Sequence, residues 1–182
     1  MNDFEEDEKI INKRIREVST GIDFKTLLLK IITIIILLFV VFNYMYGFIR
    51  MQDNTMEPFI SEGQLLLYYR IDKDYKVGDV VVVKYNGKKY VSRIIAKEGQ
   101  EVKITEEGKL LVDGFPESNQ SSLYPTEIPE DSKISYPYRV PANSYFIVGD
   151  YSVEINDSRI FGAVPFETLK GKVISSLKIR NI

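Results

Sequence analysis

The stretch "DVVVVKYNGKKYVSRIIAKEGQEVKIT" (residues 79–105) decides the fold. It contains three apolar, β-branched runs, 79–85, 88–96 and 101–105, with no helical period between them. The breaks are "NG" and "KEG", which place Gly where a tight turn needs positive φ. Val80–Val83 is apolar without alternation, as in a strand buried on both faces or one that feeds a groove. The same texture recurs outward. Residues 64–70, 109–113, 144–150 and 171–180 read as further strands, with breaks at "SEG", "KVG", "EEG" and "DG". Short strands at this spacing predict a mainly β domain, a barrel or a sandwich. Residues 115–141 interrupt the pattern with Pro116, Pro125, Pro129, Pro137 and Pro141, and read as a long excursion from the core.

Upstream the chain changes character. Ile31–Phe42 is apolar apart from Thr33, and Tyr44–Ile49 extends the run past Asn43. The 19 residues between Lys30 and Arg50 would reach about 28 Å as a helix, roughly the hydrocarbon thickness of a bilayer. A cleaved signal peptide would have a shorter apolar core ending in small residues, and "NYMYGFIRMQ" offers no such site. The expected organisation is a cytoplasmic tail (1–26), a single transmembrane anchor (27–49) and an extracytoplasmic β domain (51–182). Lys25 and Lys30 against Arg50 favour an inside N-terminus. The mixed charges of "EEDEKIINKRIREV" read as a solvated tail.

Composition narrows the chemistry. Net charge is −2, which gives no electrostatic footprint for nucleic acid. The 182 residues include no Cys and no His, so disulfides, the common zinc sites and every His-based triad are excluded. No cofactor or metal is expected. Catalysis, if any, must use Ser, Thr, Lys, Tyr or carboxylates.

Behind the anchor come, in order, "DNTMEPFISEGQLLLY", "VGDVVVVKY", "YVSRIIAKEGQEVKI", "GKLLVDG" and "VPANSYFIVGDYSVEINDSRIFGAVP". From Met51 to about Lys172 this order resembles the type I signal peptidases, membrane-anchored β-fold serine proteases with a Ser–Lys dyad. The resemblance matches Met56 and Pro58 to the residues after the nucleophile, and Gly78 and Asp79 to the Gly-Asp pair. It matches Gly149, Asp150, Asp157, Ser158, Arg159 and Gly162 to the closing box.

The chemical positions depart from that pattern. Thr55 stands at the nucleophile, where its methyl restricts χ1. Ser92 stands at the lysine base, and a serine hydroxyl cannot take a proton near neutral pH. Strand alternation turns Lys89 and Arg93 away from Ser92 and leaves Lys88 about 13 Å off. Ile155 replaces the Ser that would hydrogen-bond the lysine, Tyr151 replaces the box's Asn, and Asp53 places a carboxylate where an oxyanion would form.

The missing dyad, the "N-x-M-x-P-F" opening and the Pro-rich excursion resemble signal-peptidase-like proteins of Gram-positive bacteria that are required for sortase-dependent pilus assembly. The resemblance implies a non-proteolytic chaperone with a pilin and a sortase as partners, at the membrane. An extended peptide would lie in the groove beside Met56, Pro58 and Phe59. Two alternatives stay open: an active peptidase with an atypical Thr55 centre, and a membrane protein with a purely structural role.

Overall fold

The computed structural model describes residues 3–116, 125–126, 128–151 and 156–178, with side chains of 3–6 and 15–23 excluded. It divides into two compact units, Met1–Tyr44 and Met45–Ile182. The first is one helix, α1 (Asp3–Met45), so much of the expected tail is helical too. Its segment Phe24–Met45 is long and apolar enough to cross a membrane. The two polar side chains within its apolar run are satisfied locally. Thr33 Oγ1 donates to Leu29 O and Asn43 Nδ2 to Phe39 O, each at 2.8 Å. Bonds of this kind let a hydroxyl or amide sit in an apolar helix without an orphaned donor.

The helix stops before its apolar run does. Tyr46–Arg50 forms strand β1, paired in register with β2 (Leu65–Tyr69) from Tyr46↔Tyr69 to Arg50↔Leu65. Aromatic and β-branched residues favour this pairing, and the Tyr46 and Tyr69 rings lie 5.3 Å apart. The anchor and the first strand therefore share one hydrophobic stretch.

The remaining strands are β3 (Val80–Tyr85), β4 (Lys88–Lys97), β5 (Glu101–Ile104), β6 (Leu110–Val112), β7 (Phe115–Pro116), β8 (Tyr138–Arg139), β9 (Ser144–Val148), β10 (Val164–Pro165) and β11 (Leu169–Leu177). A short helix, α2 (Ser158–Phe161), lies between β9 and β10. Seven strands form an antiparallel sheet in the order β1-β2-β11-β3-β4-β9-β10, and four form a second in the order β7-β6-β5-β8. The domain is mainly β, as expected. The β3–β4 hairpin turns at Asn86 (φ 47°) and Gly87 (φ 81°), the two positive φ values a two-residue loop of this kind requires.

The unbroken Val80–Val83 run is explained by burial on both faces. Val81 and Val83 pack with Ile94, Ile147, Val164, Leu169 and Tyr75. Val82 faces the other way, against Met51, Met56, Leu66, Tyr68 and Val91. A register shift in β4 between Ile94 and Ala96 then turns the strand. Ile95 and Ala96 join a third cluster with Val102, Val140, Phe146 and Val148, which connects the two sheets. Residues 117–124 and 127 of the Pro-rich excursion lie outside the described residues. Its described ends belong to the fold: Val140 is 2% exposed, and Tyr138 stacks 5.6 Å from Phe146.

Candidate functional site

The site is built on the segment that links β9 to α2. Asp157 caps α2, accepting from Arg159 N at 3.0 Å. The same carboxylate accepts from Arg159 Nε (2.9 Å) and Nη2 (2.7 Å) and from Gly149 N (2.9 Å). Arg159 is fully buried, and a buried charge of this kind is tolerated only when paired and hydrogen-bonded. Ser158 Oγ accepts from Ile147 N, and Gly162, at φ 85°, returns its N–H to Ser158 O. The box residues thus bond to one another and to the backbone.

Gly149 lets a second chain segment approach. A Cβ there would lie 2.6 Å from Thr55 O, and Tyr151 N donates to that oxygen at 2.9 Å. The backbone of Thr55 is held against the box by this clamp, while its side chain is committed elsewhere. Thr55 Oγ1 donates to Asp53 Oδ1 at 2.7 Å, and Thr55 N donates to the same oxygen at 3.2 Å. Asp53 therefore closes an Asx turn over the nucleophile position.

Ser92 arrives from β4, opposite Val81, and is 3% exposed. It shares with Thr55 a cavity of about 10 Å³, lined also by Asp53, Tyr90, Val91, Gly149, Asn156 and Asp157. Thr55, Ser92, Asp53, Gly149 and Asp157 thus line one cavity. No lysine, arginine or histidine is among the lining residues, and no side-chain hydrogen bond joins Ser92 to Thr55 among the described residues. Lys88 and Lys89 are exposed at the other end of β4.

Proton transfer from a hydroxyl needs a base of matched strength within hydrogen-bond reach. Here the carboxylate of Asp157 is occupied by Arg159 and Gly149, and Asp53 is exposed to solvent. A negative Asp53 beside the nucleophile also opposes charge developing on a tetrahedral intermediate.

Arg93 faces away from Ser92, as alternation predicts, and joins pieces the sequence leaves apart. It binds the Asp150 carboxylate through Nε (2.8 Å) and Nη2, and donates through Nη1 to Gly78 O at 2.8 Å. Its guanidinium lies 5.8 Å from the Phe59 ring centroid. Asp79, beside Gly78, pairs with Lys172 at 2.6 Å. No local motif links positions 93 and 150; the only hint is an opposite charge just past the end of β9.

Of the three residues expected to contact a peptide, one is reassigned. Met56 is 0% exposed and packs with Met51, Ile60, Leu66, Tyr68, Val82 and Val91, so its side chain belongs to the core. A turn has no burial period from which to read this. Pro58 and Phe59 are exposed and remain available. Ile155 lies outside the described residues. Among the described residues, no group of three His, Cys, Asp or Glu is placed to hold a metal.

The family model for signal peptidases, peptidase S26, matches residues 24–177. The chain belongs to that family. An "Inactive signal peptidase IA" from Staphylococcus aureus strain Mu50 is 27% identical over 156 residues, covering 82% of this chain and 88% of its own. A "Signal peptidase I P" from Bacillus subtilis subsp. natto is 26% identical over 160 residues, covering 82% and 84%. A signal peptidase I crystal structure from Enterococcus faecalis V583 aligns over 56% of this chain and 97% of its own, with TM-score 0.47 and 22% identity. One relative is named inactive and another is named without that word, at nearly equal distance. Family membership therefore leaves activity to the residues of the cavity.

Proposed function

We propose that this member of the family is a non-proteolytic accessory factor, held in the cell membrane by Phe24–Met45 with its β domain outside. In this role it holds an extended segment of a client protein during sortase-dependent pilus assembly. The observation that carries the reading is the cavity itself. Thr55 and Ser92 both line it, with no amine or imidazole among the described lining residues. In an unrelated serine protease, losing dyad or triad members costs up to about 10⁶ in kcat. Strand-edge pairing with a peptide needs only backbone groups, which this change leaves intact. The resemblance to dyad-lacking pilus factors supports the choice of client.

Deleting the gene and fractionating cell-wall extracts tests this directly. The expected result is loss of the high-mass pilin ladder with secreted preproteins still processed. Accumulated preprotein would overturn it. One observation favours a rival, the carboxylate 2.7 Å from the Thr55 hydroxyl, which is an arrangement of base and nucleophile. Preprotein cleavage by the purified chain that disappears in Thr55→Ala would establish that rival.

A further inference from the structure

Strand β11 outruns one of its two neighbours. On one side it pairs with β2 from Lys172 to Leu177. On the other it pairs with β3 only from Leu169 to Lys172. The cause is the turn that leads into β3. Asp79 N donates to Lys76 O at 3.1 Å and Lys76 N to Asp79 Oδ2 at 2.9 Å, so the incoming chain turns off before it can extend β3. Gly78 N donates to Ile94 O instead, on the β4 side. Among the described residues, no strand lies beside 174–177 on the β3 side.

The gap is a cleft of about 350 Å³, within the size range of ligand sites. Ile60, Val80 and Val173 line it, and all three belong to or pack against the core cluster of Leu66 and Val82. The Asp79–Lys172 ion pair lines it too, with Ser175 and Ser176 along β11. Ser176 stands opposite Leu66 in register, so its exposed side chain shares the face of those apolar residues. Alternate residues of an antiparallel strand turn their N–H and C=O to opposite sides. Residues 174–177 therefore offer backbone donors and acceptors to the cleft. A row of such groups is a template for another strand, and only an extended chain matches its spacing.

The walls select a single segment. In a second folded copy β11 is already flanked by β2, and it would carry that sheet against Ile60 and residues 78–80. The cleft also adjoins the exposed residues expected to meet a peptide. Ile60 follows Phe59, and Arg93, whose guanidinium lies 5.8 Å from the Phe59 ring centroid, donates to Gly78 O.

We propose that an extended segment of the client protein pairs with the free edge of β11, continues the line of β3 and seats a branched apolar side chain against Ile60, Val80 and Val173. The client is thereby held in this cleft and not in the cavity between Thr55 and Ser92. This rests on the reading of the chain as a non-proteolytic factor that holds a client.

The test uses the full chain in detergent micelles, isotopically labelled for NMR. The probe is a hexapeptide of alternating valine and threonine, acetylated and amidated at its ends. It should shift the amide signals of Val80 and of residues 173–177 saturably and slow hydrogen exchange at 174–177. The same peptide N-methylated at alternate residues keeps its side chains but loses strand donors, and should bind about tenfold or more weakly. Ser176→Trp, at an exposed position, should fill the cleft and abolish binding with the rest of the spectrum unchanged. No shift at 173–177, equal binding of the N-methylated peptide, or unaltered affinity in Ser176→Trp would each overturn the proposal. So would shifts centred on Thr55 and Ser92, or shifts at 173–177 that grow with protein concentration alone, the mark of a second copy. The pilin ladder in the gene deletion judges the pilus reading separately: an intact ladder with peptide binding retained would overturn that reading and leave the cleft an extended-chain site.

Discussion

Replacing Arg159 by Met tests what holds the site together. Arg159 is fully buried and gives Asp157 two side-chain hydrogen bonds, of 2.9 and 2.7 Å. The Asp157 side chain is itself only 3% exposed, so water cannot replace the lost donors. Breaking a buried pair by removing one partner costs about 3–5 kcal/mol. Asp157 keeps the Gly149 and Arg159 backbone N–H bonds, which places the cost near about 3 kcal/mol. For a domain of this size that lowers Tm by about 10 °C. The assay is thermal unfolding of the full chain in micelles, followed by near-ultraviolet tyrosine dichroism, because α1 dominates the far-ultraviolet signal. Combining Arg159→Met with Asp157→Asn removes both charges and should recover most of the loss. A single variant within about 1 kcal/mol of the parent would refute the account. So would a double variant no better than the sum of its parts.

Three further outcomes follow from the packing. Gly149→Ala places a Cβ 2.6 Å from Thr55 O, so the 53–56 turn must move; a loss of about 2 kcal/mol in chemical denaturation is expected. Tyr75 is 3% exposed with an unbonded hydroxyl, and burial, then Tyr145 and Asp72, push its phenol up to about 12. The fold therefore favours the neutral phenol, and that stability is lost as pH rises from about 10 through 12. Tyr75→Phe should gain about 1 kcal/mol at pH 8 and more at pH 11. Asp113 accepts from Glu101 N (2.8 Å) and Gln100 Nε2 (2.9 Å), which holds its carboxyl below the ordinary value of 3.8. Its contribution is present above that value and lost as pH falls through the lowered one. Asp113→Asn should thus be less stable than the parent at pH 7, with the difference shrinking as pH falls below 3.8.

What was legible in the sequence was whatever local chemistry dictates. The β3–β4 hairpin is written in its β-branched runs and in Asn86-Gly87, which supply the positive φ values. Strand β1 was not legible, because Tyr46–Ile49 prolongs the hydropathy of the anchor; only pairing with Leu66–Tyr69 makes it a strand. Strands β7, β8 and β10 have two residues each and exist through their neighbours alone. At the site, the loss of the amine at Ser92 was plain from the residue type. The burial of Met56, the Arg93–Asp150 bridge and the direction of the Thr55 hydroxyl were not, since each depends on segments far apart in the chain.

The cavity also constrains how activity could be regained. Gly149, Asp157, Ser158 and Arg159 bond to one another and to backbone, and none of those bonds involves Ser92. The frame therefore survives without a base, and Ser92→Lys should fold. A lysine at a 3%-exposed position is driven towards the neutral amine by desolvation, which is the state a base requires. The carboxylate of Asp53 opposes this, because an adjacent negative charge favours the ammonium. It also holds the Thr55 hydroxyl proton away from any base at position 92. Positions 53 and 92 are therefore coupled. Thr55→Ser with Ser92→Lys and Ile155→Ser should leave the chain inert towards a preprotein, and adding Asp53→Ser should produce cleavage. Cleavage already present before position 53 is changed would show that the carboxylate exerts no such control.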